Sequence, residues 1–325
     1  MKILQKRPGK DFVVLNLTDT QLANCEWEDG HINRRILEYT VTELVDRLQP
    51  DLITLSGDLA WAGHAEAYDK LAAFLDGFGI PWSPVWGNHD NQEGPEHIAG
   101  VVERFSKCKN FCYESGDPAI GNGNYVICIE EEGRVVSAIV MMDSHDREPH
   151  TNAAGETWNQ WARLTKPQLA WYTRQMEGLK EQGCQDVSVI MHIPIYAYRL
   201  ATKAAYKATV DHEKLTLEES LGVDCWNEGY TGSIGVQYEG IGSYPEDDGA
   251  LEVFQNSGIT KRILSGHDHV NNWIIRYEGI QMVYTLKTGP GCYWRPSLNG
   301  GTVLKIGEKG VYDVVHEYVD ASHIQ

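Results

Sequence analysis

The 325-residue sequence predicts an α/β fold, two packed mixed β-sheets flanked by helices, in one domain over residues 1–325. Two observations carry this. From Phe12 to Trp86, short apolar runs alternate with segments of helical spacing, the pattern of a parallel sheet with crossover helices. In the last third, apolar runs are separated by Gly-rich turns, which gives antiparallel strands.

Phe12–Leu17 reads as a buried strand, followed by an amphipathic helix over His31–Leu48 that Gln49-Pro50 stops. Leu52–Leu55, a helix over Glu66–Phe78 and Pro81–Trp86 complete a βαβαβ unit. Val126–Ile129 and Val135–Met142 form a hairpin turned around Glu130–Arg134, and Pro167–Lys180 is an amphipathic helix. Val187–Met191 and Arg262–Leu264 are further buried strands, and the chain closes with strands near Trp273–Tyr277, Gln281–Leu286, Thr302–Ile306 and Val311–Tyr318. Residues 197 to 249, rich in Gly, Tyr and charge, are expected to be a long irregular insertion, too polar for core and placed as a lid or surface loop.

A net charge of −18 excludes a broad surface for extended nucleic acid, because such surfaces gain affinity through Lys and Arg that release phosphate counterions. No apolar stretch is long enough to span a bilayer, so no membrane is expected as partner. The basic start, Met1 to Lys10, is followed by no apolar signal core, and the seven scattered cysteines contain no CxxC pair. A cytoplasmic protein with reduced thiols is the expectation.

Five segments each place metal-type donors just past an apolar run: Asp19-Thr20-Gln21, Gly57-Asp58, Gly87-Asn88-His89-Asp90, Met191-His192 and Gly266-His267-Asp268-His269. Donors at the carboxyl ends of strands in such a sheet converge on one rim. Asp19 and Asp58 supply anionic oxygen, Asn88 a neutral oxygen, and His192, His267 and His269 imidazole nitrogen. That mixture suits two divalent or trivalent transition-metal ions, Mn, Fe or Zn, better than Ca or Mg. A carboxylate shared between two cations about 3.5–4 Å apart would acidify a bridging water and clamp a phosphoryl group, which points to phosphate-ester hydrolysis.

The order and spacing of these segments resemble the calcineurin-like metallophosphoesterase superfamily, from about residue 11 to 320, and most of all a phosphatase subgroup related to purple acid phosphatases. The resemblance implies an αββα sandwich. It implies a first metal on Asp19, Asp58 and His269, with Gln21 where the family usually has His, and a second on Asp58, Asn88, His192 and His267. Asp58 is then the bridge. His89 would donate a hydrogen bond or proton in the transition state, oriented by Asp90, with metal-bound hydroxide as nucleophile. Trp61 stands where purple acid phosphatases carry a ligating Tyr.

The leading functional expectation is a dinuclear phosphomonoesterase acting on a small phosphate ester or a phosphoprotein. A phosphodiesterase for a cyclic nucleotide or other small diester shares the donor set. A non-catalytic scaffold with the same fold is the reading from another class, and it would need neither the bridge nor the acid. Asp143-Ser144-His145-Asp146 follows a strand and is placed to approach the site, but a polar loop cap is the favoured reading. Tyr196, Tyr198, Trp226, Tyr230, Tyr238 and Tyr244 read either as lining for an aromatic or nucleoside group or as packing under a long loop, and Arg199, Lys203 and Lys207 either as phosphate contacts or as solvent-facing charge; none is assigned a catalytic role.

Overall fold

The computed structural model describes residues 1–206, 227–230 and 234–324. The βαβαβ unit forms as expected, with β2 (Phe12–Leu17), α1 (Ile32–Leu48), β3 (Leu52–Ser56), α2 (Ala65–Asp76) and β4 (Trp82–Val85), and is followed by α3 (Asn88–Asn91) and α4 (Pro95–Phe105). At the C-terminus of α1, Gln49 takes a left-handed conformation with φ 48°, which ends the helix before Pro50. β2, β3 and β4 pair parallel. The antiparallel pair β13 (Gly300–Gly307) and β14 (Gly310–Tyr318) extends them into a five-stranded sheet, in the order β14-β13-β2-β3-β4.

The second sheet has seven strands. β5 (Tyr125–Glu131) and β6 (Arg134–Met141) form the expected hairpin, β9 (Val187–Met191) and β10 (Thr260–Ser265) pair parallel, and β11 (Ile274–Tyr277) and β12 (Ile280–Tyr284) close one edge. The other edge is β1 (Lys2–Gln5), paired parallel with β5. Its alternate residues are exposed, so no apolar run announces it.

Side chains alternate between the faces of a strand, and this sorts the core. Ile127, Ile139, Ile190, Leu264 and Val283 of the larger sheet pack in one cluster with Leu15, Leu55 and Val303 of the smaller sheet and with Leu37, Leu44 and Leu71 of α1 and α2. Their neighbours Val126, Val140, Val189, Ile263 and Met282 face the other way, against α5 (Lys166–Glu181) and α7 (Ala250–Asn256) through Leu169, Tyr172, Met176 and Phe254. Two mixed sheets, face to face, are thus sandwiched between helices.

The stretch 197–249 is not irregular throughout. α6 (Ala197–Ala205) opens it, with Ala197, Tyr198, Ala201 and Ala205 buried against the larger sheet, and Ile241 and Tyr244 are buried as well. A surface helix needs one apolar stripe, and the average polarity of the segment hides that stripe. Residues 207–226 and 231–233, with Lys207 and Trp226, lie outside the described residues. A further departure is an antiparallel arm, β7 (Arg147–Thr151) and β8 (Thr157–Trp161), which stands apart from both sheets.

Candidate metal centre

Strand register brings the donors together. Leu17 pairs with Leu55, so Asp19 and Asp58 leave adjacent strand ends of the smaller sheet. Met191 pairs with Ser265, so His192 emerges beside Gly266-His267-Asp268-His269 of the larger sheet. The turns are sharp. Asp19, Asp58 and His267 have φ of 54°, 50° and 78°, a left-handed region that costs a non-glycine residue on the order of 1–3 kcal/mol. Two glycines make room: a Cβ on Gly57 would lie 2.6 Å from His192 Cβ, and one on Gly87 would lie 2.1 Å from Asp58 Oδ1.

All seven predicted donors, Asp19, Gln21, Asp58, Asn88, His192, His267 and His269, are 9% exposed or less. One ligand atom each from Asp19, Asp58 and His269 fall within 4.8 Å of one another. Asp19 Oδ1 is 3.2 Å from His269 Nε2, and Asp58 Oδ2 is 3.3 Å from His192 Nε2. His192 Nε2 also lies 3.1 Å from Asn88 Oδ1 and 3.3 Å from His267 Nδ1. Two imidazoles are aimed from behind: His192 Nδ1 donates to Ser56 O at 2.8 Å and His269 Nδ1 to Tyr293 O at 2.8 Å, which turns both Nε2 atoms into the centre.

The electrostatics are those of packed opposite charges. Burial pushes the Asp19 carboxyl up, but His269, His192 and Lys287 outweigh it and hold the group far below the usual carboxylate range. Burial pulls His192 down, and Asp58 and Asp19 overcome this to raise it to about 9. His267 is lowered to about 3, by burial and then by the charge on His192.

The donor set fits transition-metal ions. The Gln21 carboxamide is fully buried with neither polar atom hydrogen-bonded, and Asp19 Oδ1 has no well-directed donor. Orphaned buried groups of this kind cost about 1–3 kcal/mol each unless something else engages them, and a cation does so for oxygen donors. Mixed carboxylate, amide and imidazole donors suit Mn, Fe or Zn.

One implied role is different. Asp90 does not contact the His89 ring. Its carboxylate accepts from Tyr68 OH at 2.7 Å, from Gly87 N at 2.8 Å and from Leu59 N at 3.2 Å, closing the turn that presents Asn88 and His89. Burial and the charge of Asp58 raise this carboxyl to about 7. His89 is instead held by Gln92, 2.9 Å from Nδ1, and by the Trp61 ring at 4.2 Å. With the Gln92 amide donating to Nδ1, the ring carries its proton on Nε2, which lies 3.9 Å from Asp58 Oδ2.

Three neighbours of the centre escaped the sequence reading. Lys287, 2% exposed, donates from Nζ to Asp19 O at 2.7 Å, and burial lowers its ammonium to about 8. It follows β12, so the strand-end rule that found the donors also points to it. Tyr293 stacks on His269 at 4.2 Å, and Trp161 meets His267 edge-on at 4.3 Å. Neither has a local signal. Asp143-Ser144-His145 caps its loop, with Asp143 accepting from Asn122 N at 2.7 Å and Ser144 Oγ from Ile193 N at 2.9 Å. Tyr198 is core, its hydroxyl bonded to Ile263 O at 2.9 Å, and Arg199 is held by Ser243 Oγ at 2.7 Å.

The sequence matches the family model for calcineurin-like phosphoesterases over residues 12–271. It is similar to a probable inactive purple acid phosphatase 28 of Arabidopsis thaliana, 24% identical over 284 residues that cover 78% of this chain and 62% of that protein. It is also similar to the phosphatase DCR2 of Saccharomyces cerevisiae, 22% identical over 327 residues that cover 93% of this chain and 52% of that protein. The chain thus spans about half to two thirds of the length of these relatives. The structure of the purple acid phosphatase PPD1 from yellow lupin seeds shares the fold, with a TM-score of 0.53 at 13% identity, covering 97% of this chain and 52% of that one. Because the family match spans all five donor segments and most of the chain, the protein belongs to the calcineurin-like phosphoesterase family.

Proposed function

We propose that the chain is a metal-dependent phosphomonoesterase acting on a small phosphate ester or a phosphoprotein. One observation carries the reading: Asp19, Asp58 and His269 present ligand atoms within 4.8 Å of one another, His192 joins Asp58 to Asn88 and His267 beside them, and the Gln21 carboxamide is buried with no hydrogen bond. Asp19, Gln21, Asp58 and His269 would hold one ion, and Asp58, Asn88, His192 and His267 the other. Such ions, when bound, supply Lewis acidity and lower the pKa of a coordinated water. The residues do the rest. Trp61 and Gln92 fix the His89 ring so that Nε2–H faces the centre, where it can donate to a phosphoryl oxygen or a leaving group. Asp90 and Tyr68 hold the turn beneath it. The six described cysteines are free thiols, which supports a reducing, cytoplasmic setting.

The name of the Arabidopsis thaliana relative keeps a non-catalytic scaffold as the second reading. A turnover screen of metal-loaded protein on phosphomonoesters and diesters separates the two. Monoester hydrolysis is expected, and His89→Ala should lower it by about 10²–10⁴-fold with metal content unchanged. Bound metal without turnover of any ester would leave the scaffold reading standing.

A further inference from the structure

The β7–β8 arm bears on the centre through one stack of groups. Arg147 pairs in register with Trp161, and the Arg147 guanidinium lies 3.7 Å from the centroid of the Trp161 ring. That ring abuts His267 edge-on at 4.3 Å. Trp161 therefore touches both a cation and a predicted metal ligand. The preceding residue, Asp146, lies in the same field: burial raises its carboxyl, the charges of Arg147 and His89 draw it down, and that of Asp58 pushes it up.

A guanidinium offers five N–H donors in a planar fork. Among the described residues, those of Arg147 meet no hydrogen-bond acceptor and no ion-pair partner; its side chain is engaged by the Trp161 ring face and by the charge of Asp146. The other cations nearby are committed: Arg163 to Glu148 at 2.9 Å, Arg199 to Ser243, and Lys287 to the Asp19 carbonyl beneath the donors. Arg147 is exposed. Stacking on a ring orients the fork in advance, so less side-chain entropy is lost when it closes on a ligand. A chain of net charge −18 repels dianions, and a cation one ring away from His267 offsets that locally.

We propose that Arg147 is a specificity-determining residue, whose guanidinium receives two terminal oxygens of a dianionic phosphomonoester lying over the donor cluster while Trp161 holds it in place. This rests on the phosphomonoesterase reading and deepens it. A monoester presents three terminal oxygens and two charges, and a diester two oxygens and one charge, so the contact favours the monoester.

The test uses the manganese-loaded full chain, with kinetics on 4-nitrophenyl phosphate and bis(4-nitrophenyl) phosphate and calorimetric titration with inorganic phosphate. For Arg147→Gln, KM for the monoester should rise about ten- to a hundredfold, with phosphate affinity falling in parallel. The diester KM should rise less, and kcat and bound metal should change little. Arg147→Lys should recover only part of the loss, because a point charge cannot make the paired contact. Trp161→Phe, which keeps a ring face, should recover more than Trp161→Leu. Monoester KM and phosphate affinity unchanged in Arg147→Gln would overturn the assignment while leaving the hydrolase reading intact. If the wild type hydrolyses neither ester, the hydrolase reading falls. The phosphate titration still decides on Arg147, since equal affinity in wild type and Arg147→Gln rejects its role and weaker affinity in the variant supports it.

Discussion

Gln21 is the residue at which this chain departs from its family's usual donor set, and the change has a chemical consequence. An amide oxygen is neutral and a weaker donor than imidazole, yet this amide is buried with no hydrogen bond to either polar atom. Gln21→His should tighten one metal site and leave the other unchanged, read by metal titration. Titration curves that are the same for wild type, Gln21→His and Gln21→Ala would place residue 21 outside the coordination sphere. The donors were legible in the sequence because few residue types bind such ions and each stands directly after an apolar run. The work of Asp90 was not. Its partners, Tyr68 and the amides of Gly87 and Leu59, include residues distant along the chain, and nothing local distinguishes a carboxylate that orients a histidine from one that closes a turn.

Strands whose residues are nearly all buried announced themselves, and strands with exposed residues at the margins stayed hidden. β2, β3, β9 and β10 are nearly all buried and read as apolar runs, whereas β1 and the β7–β8 arm alternate or lie exposed. At the turn from β4 into the short helix Asn88–Asn91, the constraint is steric. A Cβ on Gly87 would meet Asp58 Oδ1 at 2.1 Å and Asp58 N at 2.3 Å, so the Asp58 carboxylate must shift if any side chain is added. Gly87→Ala should therefore lose bound metal and lower stability by about 1–3 kcal/mol. Metal stoichiometry and thermal unfolding check this, and a variant that holds wild-type metal would show the turn to be slack.

For the molecule as a whole, the centre draws donors from both sheets: Asp19, Asp58 and Asn88 follow strands of the smaller sheet, and His192, His267 and His269 follow strands of the larger. An ion bound only by the folded state stabilises it by about 2.7 kcal/mol at a hundredfold excess over Kd. Chelation should lower the unfolding temperature, manganese should restore it, and Asp58→Asn should blunt the response; equal unfolding temperatures with and without metal would show that the folded chain holds no ion tightly. The sequence by itself determined the α/β class and the strand ends and named the candidate donors, because periodicity and ligand chemistry are local properties readable within a few residues. Only the tertiary structure decided that α6 is packed helix, that Asp90 serves its turn, and that an exposed arm brings Trp161 to His267 and Arg147 over Trp161. The Asp90 turn and the arm depend on partners such as Tyr68 and His267 that lie far along the chain, whereas α6 does carry helical spacing in Ala197, Ala201 and Ala205, which the polarity of the surrounding segment masks.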